Sequence, residues 1–287
     1  MPWPSSRRCN TVTRNNGQAG LRPAVLFGQS AVLCLCLLLL GGCAMLPRTV
    51  AVSAGKKERL TAEFTAMVAR QQECNCCIDA QAVVAFSSIW QKGTLSGYLQ
   101  AMSPSYLKFM ALNPLGQTMV IFVTDGDFFR YVSVLDAKQH EGNVAGTTYA
   151  KYAPAGFLPE HGFYWLIGRL YPGRIKILEV SRDLENEGYW FEISYGNGTR
   201  SIVLYAEEQG VLLRHIVVND KGEKIFNVLY GDYTNSSCPL PGKITVTSLI
   251  HNSTMEIRLT DWLDSPSFTK EDFSYDAPPS FERVFVQ

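Results

Sequence analysis

The residues with the most chemistry to offer in this 287-residue chain are its eight cysteines. Cys43 closes the run Leu40-Gly41-Gly42-Cys43, at the end of an apolar stretch. Small residues ahead of a thiol let an extended backbone enter a protease at a membrane surface, and the sulfur is a nucleophile that can accept diacylglycerol. Cys43 is therefore the candidate lipidation site. Cys9, Cys34 and Cys36 lie upstream, which leaves Cys74, Cys76, Cys77 and Cys238 for the processed chain. A disulfide, a redox pair and a zinc site are the three uses open to them. Cys-x-Cys-Cys lacks the spaced pairs of common zinc modules, and no thioredoxin-like strand and helix flank Cys74-x-x-Cys77. An exported chain favours disulfides. A staple from the cluster to Cys238, in the Ser237-Cys238-Pro239 turn, belongs to the three connectivities that four cysteines allow.

Catalytic constellations are not found. His140, His161, His215 and His251 are scattered, and Glu160-His161 lacks the second histidine of a zincin helix. No G-x-S-x-G elbow, P-loop or dinucleotide fingerprint occurs. Asp125-Gly126-Asp127 lacks the remaining ligands of a calcium loop and reads as a hairpin turn. The expectation is a protein that is not an enzyme, without cofactor or metal.

The leader explains the charge balance. Lys+Arg and Asp+Glu are both 26, which argues against a strongly basic nucleic-acid binder. Residues 1–42 contain Arg7, Arg8, Arg14 and Arg22 and no acid, so removing them leaves 22 basic against 26 acidic side chains, a formal charge of −4. Ala31 to Leu46, AVLCLCLLLLGGCAML, is 16 residues without a polar side chain. This is short of the roughly 20 needed to span a bilayer, and a cationic n-region before an apolar h-region is the signature of a signal peptide. Leu40 to Cys43 resembles the bacterial lipobox, and Ala44, where an aspartate would resemble the inner-membrane retention signal, implies export to the outer membrane. The expected organisation is a signal peptide over 1–42, a tether over 43–56 and a single domain over 57–287.

Within that domain, Leu60, Phe64, Met67 and Val68 recur at helical spacing and predict one amphipathic helix. Beyond Ala80 alternation takes over. Strands are expected over Ala82 to Trp90, Thr94 to Ala101, Tyr106 to Leu112, Met119 to Thr124 and Phe128 to Leu135. Seven more follow: Ile175 to Arg182, Gly188 to Tyr195, Thr199 to Ala206, Val211 to Asn219, Glu223 to Tyr233, Lys243 to His251 and Met255 to Asp261. Asp125-Gly126, Asn197-Gly198, Asp220-Lys221-Gly222 and Asn252-Ser253 supply the turns. Met255, Ile257 and Leu259 face opposite to Glu256, Arg258 and Thr260, whereas Met119 to Val123 is apolar on both faces. Gly156 to Tyr171 interrupts the strands, with Phe163, Leu166, Ile167 and Leu170 on one helical face. This segment predicts a helical lid, with Trp165 beside it, over either an apolar cavity or a filled core. A dozen antiparallel strands tend to curl. The fold class is mainly β (α+β): a strongly curved antiparallel sheet or incomplete barrel with an N-terminal helix and a helical lid.

Several strings, in order from about residue 93 to 263, resemble the outer-membrane lipoprotein receptor family LolB, a relative of the periplasmic carrier LolA. They are Leu112-Asn113-Pro114-Leu115-Gly116-Gln117-Thr118, Trp165-Leu166-Ile167-Gly168 followed by Pro172-Gly173, Tyr230-Gly231-Asp232-Tyr233 with Leu240-Pro241, and Ile257-Arg258-Leu259 with Trp262. The resemblance implies an incomplete barrel whose apolar cavity takes lipoprotein acyl chains, handed over by a soluble LolA-like carrier. It implies a lipid-anchored protein of the outer membrane that faces the periplasm and inserts lipoproteins there. In that family an exposed leucine in the Asn-Pro-Leu-Gly loop is associated with membrane delivery, and Leu115, beside Pro114, is the matching position. Leu115 either dips into the acyl boundary or plugs the barrel mouth. The Cys74-Asn75-Cys76-Cys77 cluster and the Ser265 to Gln287 extension have no counterpart in LolB, and Phe273 to Pro279 is expected to add an edge strand. The alternative function is an envelope lipoprotein that uses the same fold as a docking scaffold.

Overall fold

The computed structural model describes residues 47–287, apart from 75–76, 89–91, 147, 150–151, 153–161, 196–199, 220–223, 249–252 and 264–265. The lipobox and Cys43, Cys76, His161, His251 and the turns at 197–198 and 220–222 lie outside the described residues.

Alternating sequence becomes strand almost throughout. The strands are β1 (Thr49–Ala51), β2 (Cys77–Ser87), β3 (Lys92–Met102), β4 (Tyr106–Leu112), β5 (Thr118–Thr124), β6 (Phe128–Ser133), β7 (Lys138–Asn143), β8 (Lys176–Asp183), β9 (Tyr189–Ser194), β10 (Arg200–Ala206), β11 (Val211–Val218), β12 (Lys224–Tyr233), β13 (Pro241–Ser248), β14 (Ser253–Thr260) and β15 (Glu282–Val286). All 15 join one sheet in the order β1-β8-β9-β10-β11-β12-β13-β14-β2-β3-β4-β5-β6-β7-β15. Every pairing is antiparallel except β15 on β7. The sheet is curved, and because β1 and β15 remain its edges the barrel is open and incomplete. At Gly97 a Cβ would stand 1.8 Å from the Met110 carbonyl oxygen, so only glycine lets β3 and β4 approach this closely.

Helix α1 (Ala54–Gln72) buries Leu60, Phe64, Met67 and Val68, the four residues whose spacing predicts it. Met255, Ile257 and Leu259 are likewise buried. On the other face of β14, Glu256 pairs with Lys243 at 3.2 Å and Arg258 at 2.8 Å. That face is wet, as the alternation requires. The doubly apolar β5 has a different cause. Phe122 enters the main core, while Ile121 and Val123 pack outward against Phe273 and Ala277 of the C-terminal segment.

Four expectations are corrected. The tether over 43–56 is too long, because Thr49–Ala51 pairs with β8 and α1 starts at Ala54. The lid helix ends early: among the described residues it covers α2 (Gly162–Leu166) instead of running on to Tyr171, and the backbone turns at Gly168 with φ of +65°. Such a left-handed residue ends a helix. The C-terminal edge strand is Glu282–Val286 instead of Phe273 to Pro279; Lys270–Phe273 forms a 3-10 turn. Finally, the strand expected over Phe128 to Leu135 stops at Ser133, and Val134 to Ala137 turn into β7. Ser133 Oγ donates to the Asp136 carboxylate at 2.6 Å, and Ala137 takes a φ of +50° to close this turn.

Candidate functional site

Three groups of side chains meet on the inner face of the curved sheet. Helix α1 lies over β8 to β10: Phe64 stacks on Phe191 at 4.1 Å between ring centres and meets Tyr205 edge-on at 5.5 Å. Arg59 bonds Glu207 at 2.8 Å, and Lys56 stands 4.7 Å over the Tyr189 ring. Over the β11 to β13 region sits the segment after residue 161. Phe163, Trp165, Leu166, Ile167 and Leu170, the expected lid residues, are all buried in the main core cluster. Trp165 meets His215 edge-on at 6.0 Å, and the His215 Nε2 and Ser201 Oγ are 2.8 Å apart beneath it.

The third group was not expected from sequence. Phe122, Phe129, Tyr131 and His140 on β5 to β7, with Tyr149 and Tyr152 of the segment after β7, form a chain of ring contacts with centroids 5.1 to 6.4 Å apart. Tyr152 Oη and His140 Nδ1 are 3.2 Å apart. Burial pushes the Tyr131 hydroxyl up, as it does Tyr149. These phenols stay neutral, and the lining is apolar in body with neutral polar tips.

Arg169 is the exception to that neutrality. It follows the Gly168 turn and is 4% exposed, against the C-terminal turn of α1. Sequence reasoning passed over it because it sits inside the otherwise apolar WLIGRLY; a charge in the middle of a predicted buried face was the available signal.

The rim of the sheet carries the other candidate. Antiparallel alternation puts the β4–β5 and β6–β7 turns at one end. In the first, Asn113 Oδ1 accepts hydrogen bonds from the Leu115 and Gln117 amides, both 2.9 Å, and Gly116 has φ of +79°. Such an Asx-type closure rigidifies the loop, and Leu115 is held out at 83% exposure. The plug alternative is therefore corrected: Leu115 does not fill the barrel mouth. Leu135, at the tip of the neighbouring turn, is 76% exposed. The alternation places it as the last residue of a strand, and its exposure follows only from the earlier end of β6 at Ser133.

Cys74 is bonded to Cys238, joining the end of α1 to the β12–β13 connection. Cys77 is buried on β2 and outside any disulfide. Among the described residues, no group of three His, Cys, Asp or Glu side chains could hold a metal ion, and no helix is long and apolar enough to cross a membrane.

No protein-family model matches the chain, and no curated protein matches its sequence. Solved structures do match in shape. A DUF1329 family protein from Desulfovibrio piger aligns with TM-score 0.53 at 9% identity, covering 75% of this chain and 97% of its own. A LolA superfamily protein from Nitrosomonas europaea gives 0.51 at 7% identity, covering 74% and 97%. A putative outer membrane lipoprotein-sorting protein domain from Vibrio parahaemolyticus gives 0.50 at 12% identity, covering 75% and 94%. At these identities the likeness is one of fold: the open curved sheet found here is the LolA-type architecture.

Proposed function

We propose that this chain is a lipid-anchored, periplasm-facing lipoprotein of the outer membrane that binds acyl chains on its inner face and accepts or inserts lipoproteins there. The observation that carries this reading is Leu115, presented on a closed loop at the rim of a sheet whose fold is shared with LolA superfamily and lipoprotein-sorting proteins. An exposed leucine on a rigid turn is a device for entering the acyl boundary, worth about 1.5–3 kcal/mol when buried. Leu135 at the same rim supplies a second tip. Binding an acyl chain needs apolar area above all, and the buried aromatic and aliphatic inner face offers it once the lid segment yields. No catalytic role is assigned. A LolA-like carrier is the proposed donor.

The test is transfer. Full-length protein incubated with a carrier-bound lipoprotein should take it over and yield fatty acid on extraction; neither happening removes the acceptor role. Leu115→Glu should cut delivery into vesicles by about tenfold or more, since it loses the leucine and adds a charge, while acceptance stays intact. Leu135→Glu should add to that loss. For the anchor, Cys43→Ala should abolish palmitate labelling, and labelling that persists rules out the lipobox. The docking-scaffold reading draws on one feature, the close packing of Phe64, Phe163 and Phe191 across the inner face. Absence of bound lipid together with a partner contact at the rim would favour it.

A further inference from the structure

We propose that Arg169 is a head-group site beneath the lid, where its guanidinium pairs with the oxyanion, carboxylate or phosphate, of an acyl lipid. The inference rests on the acyl-binding part of the reading above and is independent of lipoprotein transfer.

Arg169 is a buried cation with no paired counter-charge among the described residues. A guanidinium has five N–H donors in a fixed fork, and here Nη1 reaches the Gln71 carbonyl oxygen at 3.4 Å while Nε has no hydrogen-bond partner. No carboxylate among the described residues pairs with it; its polar surroundings are the phenols of Tyr164 and Tyr233. Burial lowers the guanidinium to about 10, so it is still charged at neutral pH. Because the fold depresses this base below its ordinary value, its burial opposes folding across the neutral range, and that penalty eases only as pH rises above about 10. The contact with the end of α1 is favourable for a cation, but it engages Nη1 and leaves Nε without a partner.

The neighbouring groups extend the same unmet demand. The Tyr230 hydroxyl and the Gln71 side-chain oxygen are also buried without partners. Gly168, directly before Arg169, leaves so little room that an added Cβ would lie 2.5 Å from the Tyr233 hydroxyl and 3.5 Å from the Tyr230 ring. Arg169 is therefore fixed beside these phenols by its own backbone. Around it stand Trp165, Leu166, Ile167 and Leu170. A fork built for an oxyanion, set among side chains suited to hydrocarbon, matches an amphiphile with an anionic head. The triacylated cysteine of a lipoprotein carries ester, amide and thioether groups at that position, so Arg169 points to fatty acids and phospholipids as ligands.

Native mass spectrometry of the full-length protein in dodecyl maltoside tests this with two matched pairs. Oleate against oleyl alcohol reads the carboxylate, and dioleoylphosphatidic acid against diolein reads the phosphate. In at least one pair the anionic member should bind about tenfold tighter or more, the effect of a charge-assisted bond. That preference should vanish in Arg169→Met with neutral-lipid binding unchanged, and persist in Arg169→Lys. Equal binding within both pairs, or a preference that survives Arg169→Met, overturns the head-group site while leaving acyl binding in place. Binding of none of the four removes both. Should Arg169→Met fail to fold, the head group of whichever anionic lipid is preferred decides on the wild-type protein: the titration of ¹³C-carboxyl oleate, or the ³¹P titration of dioleoylphosphatidic acid, should fall below that in neutral micelles, and an unshifted titration overturns the pairing.

Discussion

Phe64→Ala should destabilise the domain by about 3–5 kcal/mol, the range for truncating a buried phenylalanine, read as a lowered midpoint in urea unfolding. Phe64 is 1% exposed and stacks on Phe191 with an interplanar angle of 11°. It is the central contact between α1 and the sheet, with Leu60 one turn before and Met67 and Val68 one turn after. The ion pairs on the helix add little to this apolar seat. Its pairs from Arg59 to Glu63 and Glu207, and from Lys57 to Glu179, lie on partly exposed side chains, and such surface pairs contribute little. A drop below about 1 kcal/mol would mean that α1 is not seated on β9 and β10 in solution. The same variant is informative about ligand binding, because it opens space on the inner face next to the lid residues. If acyl chains enter there, lipid should restore part of the lost stability through mass action.

Periodicity carried most of the architecture and failed at particular places for physical reasons. Residues 60, 64, 67 and 68 predict α1 because one stripe of a helix must be apolar, and that stripe is the one buried. Most strands from β2 to β6 and from β8 to β14 alternate for the same reason, β5 being apolar on both faces. β7, KQHEGN, has no apolar alternation to betray it. Its Gln139 is fully buried, yet satisfied: its Oε1 accepts the Ala277 amide at 3.1 Å and its Nε2 donates to Glu141 at 2.9 Å. A polar residue made soluble in the core by a partner 138 positions away is invisible to a local pattern. β15 is five residues in parallel pairing at an edge, and its Phe285 remains exposed.

The lid and the rim show the opposite error, in which pattern overstated regularity. The i, i+3, i+4, i+7 spacing of Phe163, Leu166, Ile167 and Leu170 does mark four buried residues, but a helix that ends at Leu166 and a left-handed turn bury them as well as an unbroken helix would. Gly168 was the sign of that break. Leu115 could be located by its loop, whereas Leu135 looked like a strand terminus because its exposure depends on where the β6–β7 turn begins. Arg169 needed three dimensions, since burial of a charge and absence of its partner are both tertiary facts.

The disulfide governs how far this sheet depends on an oxidising compartment. Cys74 and Cys238 are separated by 164 positions, so the bridge closes a loop that contains most of the sheet. The chain-entropy relation gives about 5 kcal/mol for such a loop, against typical measured values of about 2–4 kcal/mol. Replacing both with serine should therefore cost about 3–5 kcal/mol. Reduction of the wild-type chain should cause the same loss, while the double variant should be insensitive to reductant. Cys77 cannot take over the bond without leaving its buried place on β2. The effect is also local. Cys74 follows the last turn of α1, whose Gln71 carbonyl is the acceptor for Arg169, so the bridge holds the helix end against which the buried cation is set. If that coupling is real, reduction should weaken binding of an anionic lipid more than binding of its neutral counterpart. Equal weakening of both would mean that the bridge supports only the fold.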